Sequence, residues 1–344
     1  MTQVAAQVDP YPELASLIER ELSPGNFSAC LTTDEAVPER LWERALASPL
    51  RELATRPGKE FRSHLVQLAF ELAGGSGELA PELPSIVEAL HLGSLIVDDI
   101  EDGSARRRGG PALHQLVGLP LALNAGNWLY FMPGALLARL ELDQAVELRL
   151  RASIDQAIRN CHYGQALDLA TRVTELRQRE VPGVVRATTR LKTGSLTELA
   201  TRLGAISAGA DDVCVRVLGR FGREFGIALQ MLDDLTGITS EKRCHKGHED
   251  LLESRPTWPW AWLAERVDAM AYVRLRAMAE EVARRDLHPE LVSEELRDRV
   301  AVSGRTAIRE HLQGALASLT TSIGEPRGYA TLREEVTRLE LYDG

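Results

Sequence analysis

Two apolar runs with helical spacing each end in a pair of aspartates, and this repetition constrains the fold more than any other feature of the chain. The first is "LGSLIVDDIED" (92–102) and the second "IALQMLDDLTG" (227–237). Apolar residues recurring at three- and four-residue intervals put one face of each helix into a core. Carboxylates cannot follow them there without partners, so each run must reach the edge of a core or cavity at its aspartates. A chain that does this twice has to arrange at least two buried helices around charged ends.

The same period fills most of the sequence, as in "LASLIEREL" (14–22) and "RVLGRFGREFGIALQMLDDL" (216–235), and strand-like alternation is scarce. Breakers at Pro57-Gly58, Gly74 to Gly77, Gly109 to Pro111, Pro182-Gly183 and Pro256 to Pro259 divide it into helices of ordinary to long length. No internal repeat or flexible linker is visible. The expectation is a single all-α domain over residues 1–344 with roughly ten or more helices. One stretch, Gln115 to Ala138, carries no charge over the length of a membrane span. Pro120, Pro133, Asn124, Asn127 and its glycines favour instead a buried helix of a large bundle, so no transmembrane segment is expected.

Composition narrows the function. A formal charge of -10 argues against a sequence-independent nucleic-acid binder, which needs a basic face. Cys30, Cys161, Cys214 and Cys244 are widely separated and form no CxxC pair, as expected of reduced thiols in a cytoplasmic protein. The N-terminal residues show no basic segment followed by an apolar one, so no signal peptide is expected.

Asp98 and Asp102 are four apart and share a helix face, with Asp99 beside them, so their carboxylates can bridge the same cations. An all-oxygen set suits Mg²⁺, which favours octahedral oxygen ligation and shares its shell with substrate phosphates. Arg106, Arg107 and Arg108 follow, and guanidinium forks match phosphate oxygens. A metal with arginines describes a diphosphate site; simple neutralisation of the aspartates on a surface is an equal reading of this segment alone. Asp233-Asp234 shift the balance, because carboxylates facing one another across two helices can hold Mg²⁺ around one diphosphate and let it leave as a stabilised anion.

With these motifs the chain resembles the trans-isoprenyl (polyprenyl) diphosphate synthase family, nearly end to end. "GKEFR" (58–62) is similar to its GKxxR, "DDIED" (98–102) to its first aspartate-rich motif, and "RRGGPALH" (107–114) to its RRGxPxxH. "GQALD" (164–168), "LKTGSL" (191–196) and "QMLDDLTG" (230–237) resemble the later motifs in the same order. The resemblance implies the isoprenoid synthase fold, antiparallel helices around a deep central cavity, as a homodimer. It implies head-to-tail condensation of isopentenyl diphosphate with an allylic diphosphate using three Mg²⁺. Asp98, Asp99 and Asp102 would bind two of these ions and Asp233, with Asp234 beside it, the third. Arg107, Lys192 and Lys246 would contact the allylic diphosphate. Gly58, Lys59, Arg62, His91 and Arg108 would form the metal-free pocket for isopentenyl diphosphate. Thr193, Gln230, Asp168 and Gln165 would lie near the ionising carbon.

Residues four and five before Asp98 are Ser94 and Gly93, small where members stopping at fifteen carbons carry an aromatic, which implies a product of twenty carbons or more. The chain departs from the pattern at Gly237, which replaces the second motif's third aspartate, and in "KGHEDLLESRPTWP" (246–259), where Arg255 stands for a lysine. His245, His248, Glu249 and Asp250 raise a transition-metal site as an alternative to a solvated loop. The rival for the whole chain is a class I terpene synthase of the same fold, which needs no second diphosphate pocket; an inactive regulatory subunit is the third reading.

Overall fold

The computed structural model describes residues 12–23, 37–56 and 61–342. Gly58 and Lys59 lie outside the described residues, as does Cys30. The helices of seven residues or more begin with α1 (Pro12–Glu21), α2 (Ser48–Ala54), α3 (Phe61–Leu72), α4 (Glu82–Glu101) and α5 (Leu119–Leu137). They continue with α6 (Gln144–Ala170), α7 (Val181–Thr189), α8 (Ser195–Ser207), α9 (Asp212–Thr239) and α10 (Cys244–Leu252). The chain closes with α11 (Trp258–Arg266), α12 (Ala269–Ala283), α13 (Pro289–Ile323) and α14 (Tyr329–Glu340). The strands among the described residues are the two-residue pair β1 (Arg106–Arg107) and β2 (Gly110–Pro111).

Local chemistry sets the starts of the long helices. Asp143, Asp211 and Asp268 each precede a helix and accept a hydrogen bond from a backbone N–H of its first turn (Ala145, Cys214 and Ala271), satisfying donors that have no intrahelical partner. Between α7 and α8 the chain does not break: Arg190–Gly194 widens into a π-turn that carries Lys192 and Thr193. Such turns insert one residue into a helix and recur at functional sites.

Buried apolar side chains form one contiguous cluster from Leu14 to Val336. Helix α8 lies at its middle, packed on α3, α6 and α9; α9 packs on α13, and α4 lies along α5. Phe61 of α3 stacks on Phe225 of α9 with ring centroids 4.9 Å apart. Trp258, Trp260 and Trp262 are all buried, so the tryptophan cluster is core.

The uncharged stretch Gln115–Ala138 forms α5 and the turn before it, and among the described residues no helix is long and apolar enough to cross a membrane. The helix is not buried all round, contrary to the buried helix expected from the sequence. Leu119, Leu123 and Phe131 are exposed, Phe131 at 78%, and their spacing puts them along one side of the helix.

Candidate active site

The last turn of α4 delivers Asp98 and Asp99, and Asp102 caps its C-terminus. This is the end of a helix where negative charge is least favoured, so the carboxylates need cations from elsewhere. Lys192 of the π-turn donates to Asp168 Oδ2 of α6 at 2.6 Å and to Asp98 Oδ1 at 3.5 Å. Arg255, after α10, donates to the same Asp168 oxygen at 2.8 Å and to Asp102. Gln165, one turn before Asp168, donates to Asp98 at 3.0 Å and to Glu101 at 2.6 Å. Gly164 makes this meeting possible, because a Cβ there would stand 2.8 Å from the Lys192 backbone nitrogen.

These contacts divide the titration of the motif. Burial alone would raise Asp98, but Lys192, then Gln165 and Arg107, outweigh it and hold its carboxyl below the ordinary value. Asp102 is pushed up to about 6 by burial and by its repulsion from Asp98. Asp99 is 1% exposed; one of its oxygens accepts from Arg107 Nε at 2.8 Å, and the other, Oδ2, is buried without a hydrogen-bond partner.

Arg107 belongs to the β1–β2 hairpin, whose two-residue turn holds Arg108 (φ 49) and Gly109 (φ 79) in the left-handed region. Arg56 fastens this hairpin, donating to the carbonyls of Arg107 and Pro111 at 2.8 Å each. The second cationic group gathers around His91. Arg62 Nη1 lies 3.2 Å from His91 Nε2. Burial first, then Arg62, Arg108 and Arg107, drive His91 well below its ordinary pKa, so it is neutral and can accept from Arg62. Arg62 Nε is buried without a partner.

At the second motif Asp233 accepts from Arg243 and Lys246, whose charges outweigh the effect of burial and pull its pKa down to about 2. Asp234 turns away from these cations. Its oxygens accept from Gln230 Nε2 at 2.7 Å and from the Trp258 backbone N–H at 2.9 Å, and burial pushes it up to about 6. Gln230 also accepts from Thr193 at 2.8 Å.

Gly237 is buried against Gly247 of α10: a Cβ on Gly247 would stand 2.2 Å from the Gly237 carbonyl oxygen. The missing third aspartate and the unusual following segment are therefore one packing contact. His248 is 3.0 Å from Glu290 and edge-on to His288, which ties α10 to α13. Among the described residues no three His, Cys, Asp or Glu side chains stand together as a ready metal-ligand set, around His248 or elsewhere.

Ser94 is half-buried, one turn below Asp98 on the same face, and donates to the His91 carbonyl at 2.7 Å. Gly93 belongs to a different face. A Cβ there would lie 2.9 Å from the Gly126 carbonyl of α5, so Gly93 permits a helix crossing rather than opening a floor under the site, contrary to the sequence-based expectation.

Arg243, Arg56 and Glu101, which sequence reasoning leaves out, belong to these networks; Arg255, noted there as standing for a lysine, joins Asp102 to Asp168, and Asp250, raised there only with the transition-metal alternative, feels the charges of Lys246 and Arg255. Asp250 is pushed up to about 7 by burial, against the opposing charge of Lys246. A carboxyl raised in the folded state binds its proton more tightly than in the unfolded chain, so it lowers stability as pH rises from about 4 to about 7. Asp250→Asn is therefore expected to raise the melting temperature of metal-free protein at pH 8 and leave it unchanged near pH 4, as differential scanning calorimetry would show.

The sequence profile of the polyprenyl synthetase family matches residues 43–293. A geranylgeranyl pyrophosphate synthase of Eremothecium gossypii is 32% identical over 221 residues, 63% of this chain and 68% of that relative. A geranylgeranyl diphosphate synthase of Sulfolobus acidocaldarius is 32% identical over 195 residues, 56% and 58% of the respective chains. The alignments thus span 58% to 68% of these two relatives' own length. The fold is similar to that of geranylgeranyl pyrophosphate synthetase from Pyrococcus horikoshii, with a TM-score of 0.70 at 22% identity over 96% of this chain and 99% of that one. It is also similar to a decaprenyl diphosphate synthase from Rhodobacter capsulatus, with a TM-score of 0.74 at 21% identity over 95% and 94%.

Proposed function

Because the chain belongs to the polyprenyl synthetase family, we propose that it joins isopentenyl diphosphate head-to-tail to an allylic diphosphate, giving a trans-prenyl diphosphate of twenty carbons. The observation that supports this reading is a set of cations beyond those that meet the aspartates. Lys192, Arg255 and Arg107 bond to aspartates of α4 and α6, whereas Arg62 lies against neutral His91 with Arg108 close by. A cyclase, which handles a single diphosphate, has no use for this further set.

The α4 motif fits a hard divalent cation: its donors are all oxygens, and the orphaned, buried Oδ2 of Asp99 is an acceptor with nothing to accept from. Asp98, Asp99 and Asp102 would hold Mg²⁺, which supplies charge neutralisation to the departing diphosphate. Lys192 and Arg255, both fixed by Asp168, bind the same diphosphate and need no rearrangement as charge develops on it. The Arg62 Nε–H and Arg108 orient isopentenyl diphosphate so that its double bond meets the allylic carbon, and the proton lost afterwards goes to an oxygen of the released diphosphate. Thr193 and Gln230, bonded to each other, present oxygen dipoles rather than a free nucleophile to the cation. Water has to be kept from the cation, which it would otherwise hydrolyse.

Incubation with Mg²⁺ and dimethylallyl, geranyl or farnesyl diphosphate, with and without isopentenyl diphosphate, tests this. Elongated diphosphates are expected only when isopentenyl diphosphate is present; hydrocarbons or alcohols from the allylic substrate alone would establish a cyclase instead.

On this reading Ser94 sets product length: it is small and half-buried one turn below Asp98, and Leu90 and Val87 are buried further down α4. Ser94→Phe is expected to shift the main product to fifteen carbons or fewer, read by mass spectrometry of the dephosphorylated products. The exposed apolar side of α5 suits a second copy of this chain, since a patch of Leu119, Leu123 and Phe131 is costly to leave in water. Phe131→Glu is expected to convert a dimer to a monomer in analytical ultracentrifugation. The protein acts in the cytoplasm on this reading.

A further inference from the structure

The two aspartate motifs differ in what their surroundings leave to their oxygens. At the first, Asp99 Oδ2 has no partner, and Arg107 is 3.9 Å from Asp98 Oδ2. At the second, Asp233 Oδ1 accepts from Arg243 and Oδ2 from Lys246. Asp234 Oδ1 and Oδ2 are taken by Gln230 and by the Trp258 backbone. Every side-chain oxygen of this pair already accepts a hydrogen bond, whereas the first motif keeps an oxygen, Asp99 Oδ2, with none.

The backbone makes this arrangement hard to undo. A third carboxylate would have to grow from Gly237, where even a Cβ would stand 3.3 Å from the Gly247 Cα. Side chains can swing aside, but here the obstacle is the main chain of α10 lying on the main chain of α9. The same crossing sets α10 so that Lys246, next to Gly247, reaches Asp233. The second motif of this chain therefore does not fit a divalent ion.

We infer that the second motif binds no metal and that Lys246 and Arg243 stand in for the ion there, meeting the leaving diphosphate with fixed cations of the protein. This rests on the reading above that the α4 motif does hold Mg²⁺. Charge supports the substitution: one carboxylate between two monovalent cations leaves a net charge of one positive, as does one carboxylate holding a divalent ion. The ammonium and guanidinium are tied to the chain and are not recruited from solvent, so this side of the site is ready before any metal arrives.

Crystals of the full chain grown with Mn²⁺ and inorganic pyrophosphate test the inference by anomalous diffraction at the manganese edge. Peaks are expected beside Asp98 and Asp102 and none within about 2.6 Å of Asp233, the outer limit for such oxygen ligands. A peak bonded to Asp233 overturns the inference. In solution, the number of Mn²⁺ ions bound in the presence of pyrophosphate should be the same for the wild type and Asp233→Asn, and a count lower by one in that variant also overturns it. Asp98→Asn should lower the count. If it does not, the metal assignment at α4 fails, while the Asp233 comparison still decides the inference itself. Should Asp233→Asn not fold, the diffraction result on the wild-type chain stands alone.

Discussion

Asp98→Asn is expected to reduce kcat about a thousandfold, about 4 kcal/mol of lost transition-state stabilisation, while leaving the fold intact. The substitution keeps the size of the side chain and removes a charge that Lys192 and Gln165 are arranged to meet. Its loss removes a proposed Mg²⁺ ligand and releases Lys192 to pair with Asp168 alone. Stability should fall only slightly, because the pairing with Lys192 and Gln165 that holds the Asp98 carboxyl low is weakened while its repulsion of Asp102 is relieved. The check is a paired measurement of steady-state rate and thermal melting. Activity within tenfold of wild type would show that the α4 motif is not the ionising centre, and a rate loss accompanied by a large drop in melting temperature would mean that Asp98 serves packing instead.

The second large effect lies outside the charged groups. Gly247→Ala adds one methyl group that must occupy a point 2.2 Å from the Gly237 carbonyl oxygen and 2.7 Å from its carbon. Neither atom is the movable end of a side chain, so α10 has to shift, at a cost of about 3 kcal/mol on the scale of overpacked cores. Because α10 carries Lys246, the shift also draws a cation away from Asp233, and the KM for the allylic diphosphate should rise together with the fall in melting temperature. Gly314→Ala is the control: nothing lies within 4 Å of its Cβ position in α13, and melting should be unchanged or slightly higher. Equal behaviour of the two variants would remove the Gly237–Gly247 crossing from the account.

That crossing also shows where the sequence was legible and where it was not. The helical period and the paired aspartates announce an all-α fold with charged helix ends, because both depend on residues within a few positions of one another. Lys192, Asp168 and Gln165 are likewise found by their short motifs, and the structure joins them. Arg255 is different: it reaches Asp102 across 153 positions, and its neighbours in sequence mark it only as a substituted lysine. Gly237 reads as a lost ligand when its motif is considered alone, and only the position of Gly247 explains why nothing larger stands there. Gly93 fails for a related reason. Counting back from Asp98 gives depth along α4 but not which neighbour each face meets, and α5 supplies that answer.

The π-turn at Arg190–Gly194 has a consequence for how this protein could be altered. One extra residue within a continuous run from Val181 to Ser207 turns everything after it by about 100° relative to a regular helix. Most of α8 beyond that point is buried, with neighbours on three sides, so it has no freedom to turn back. Deleting a single residue from the widened turn would therefore behave like a frameshift of surfaces: either Lys192 keeps its aim and α8 presents the wrong stripe to the core, or the core is kept and Lys192 points elsewhere. The length of this segment is fixed by two requirements at once, and point substitution is the only route by which its chemistry can change.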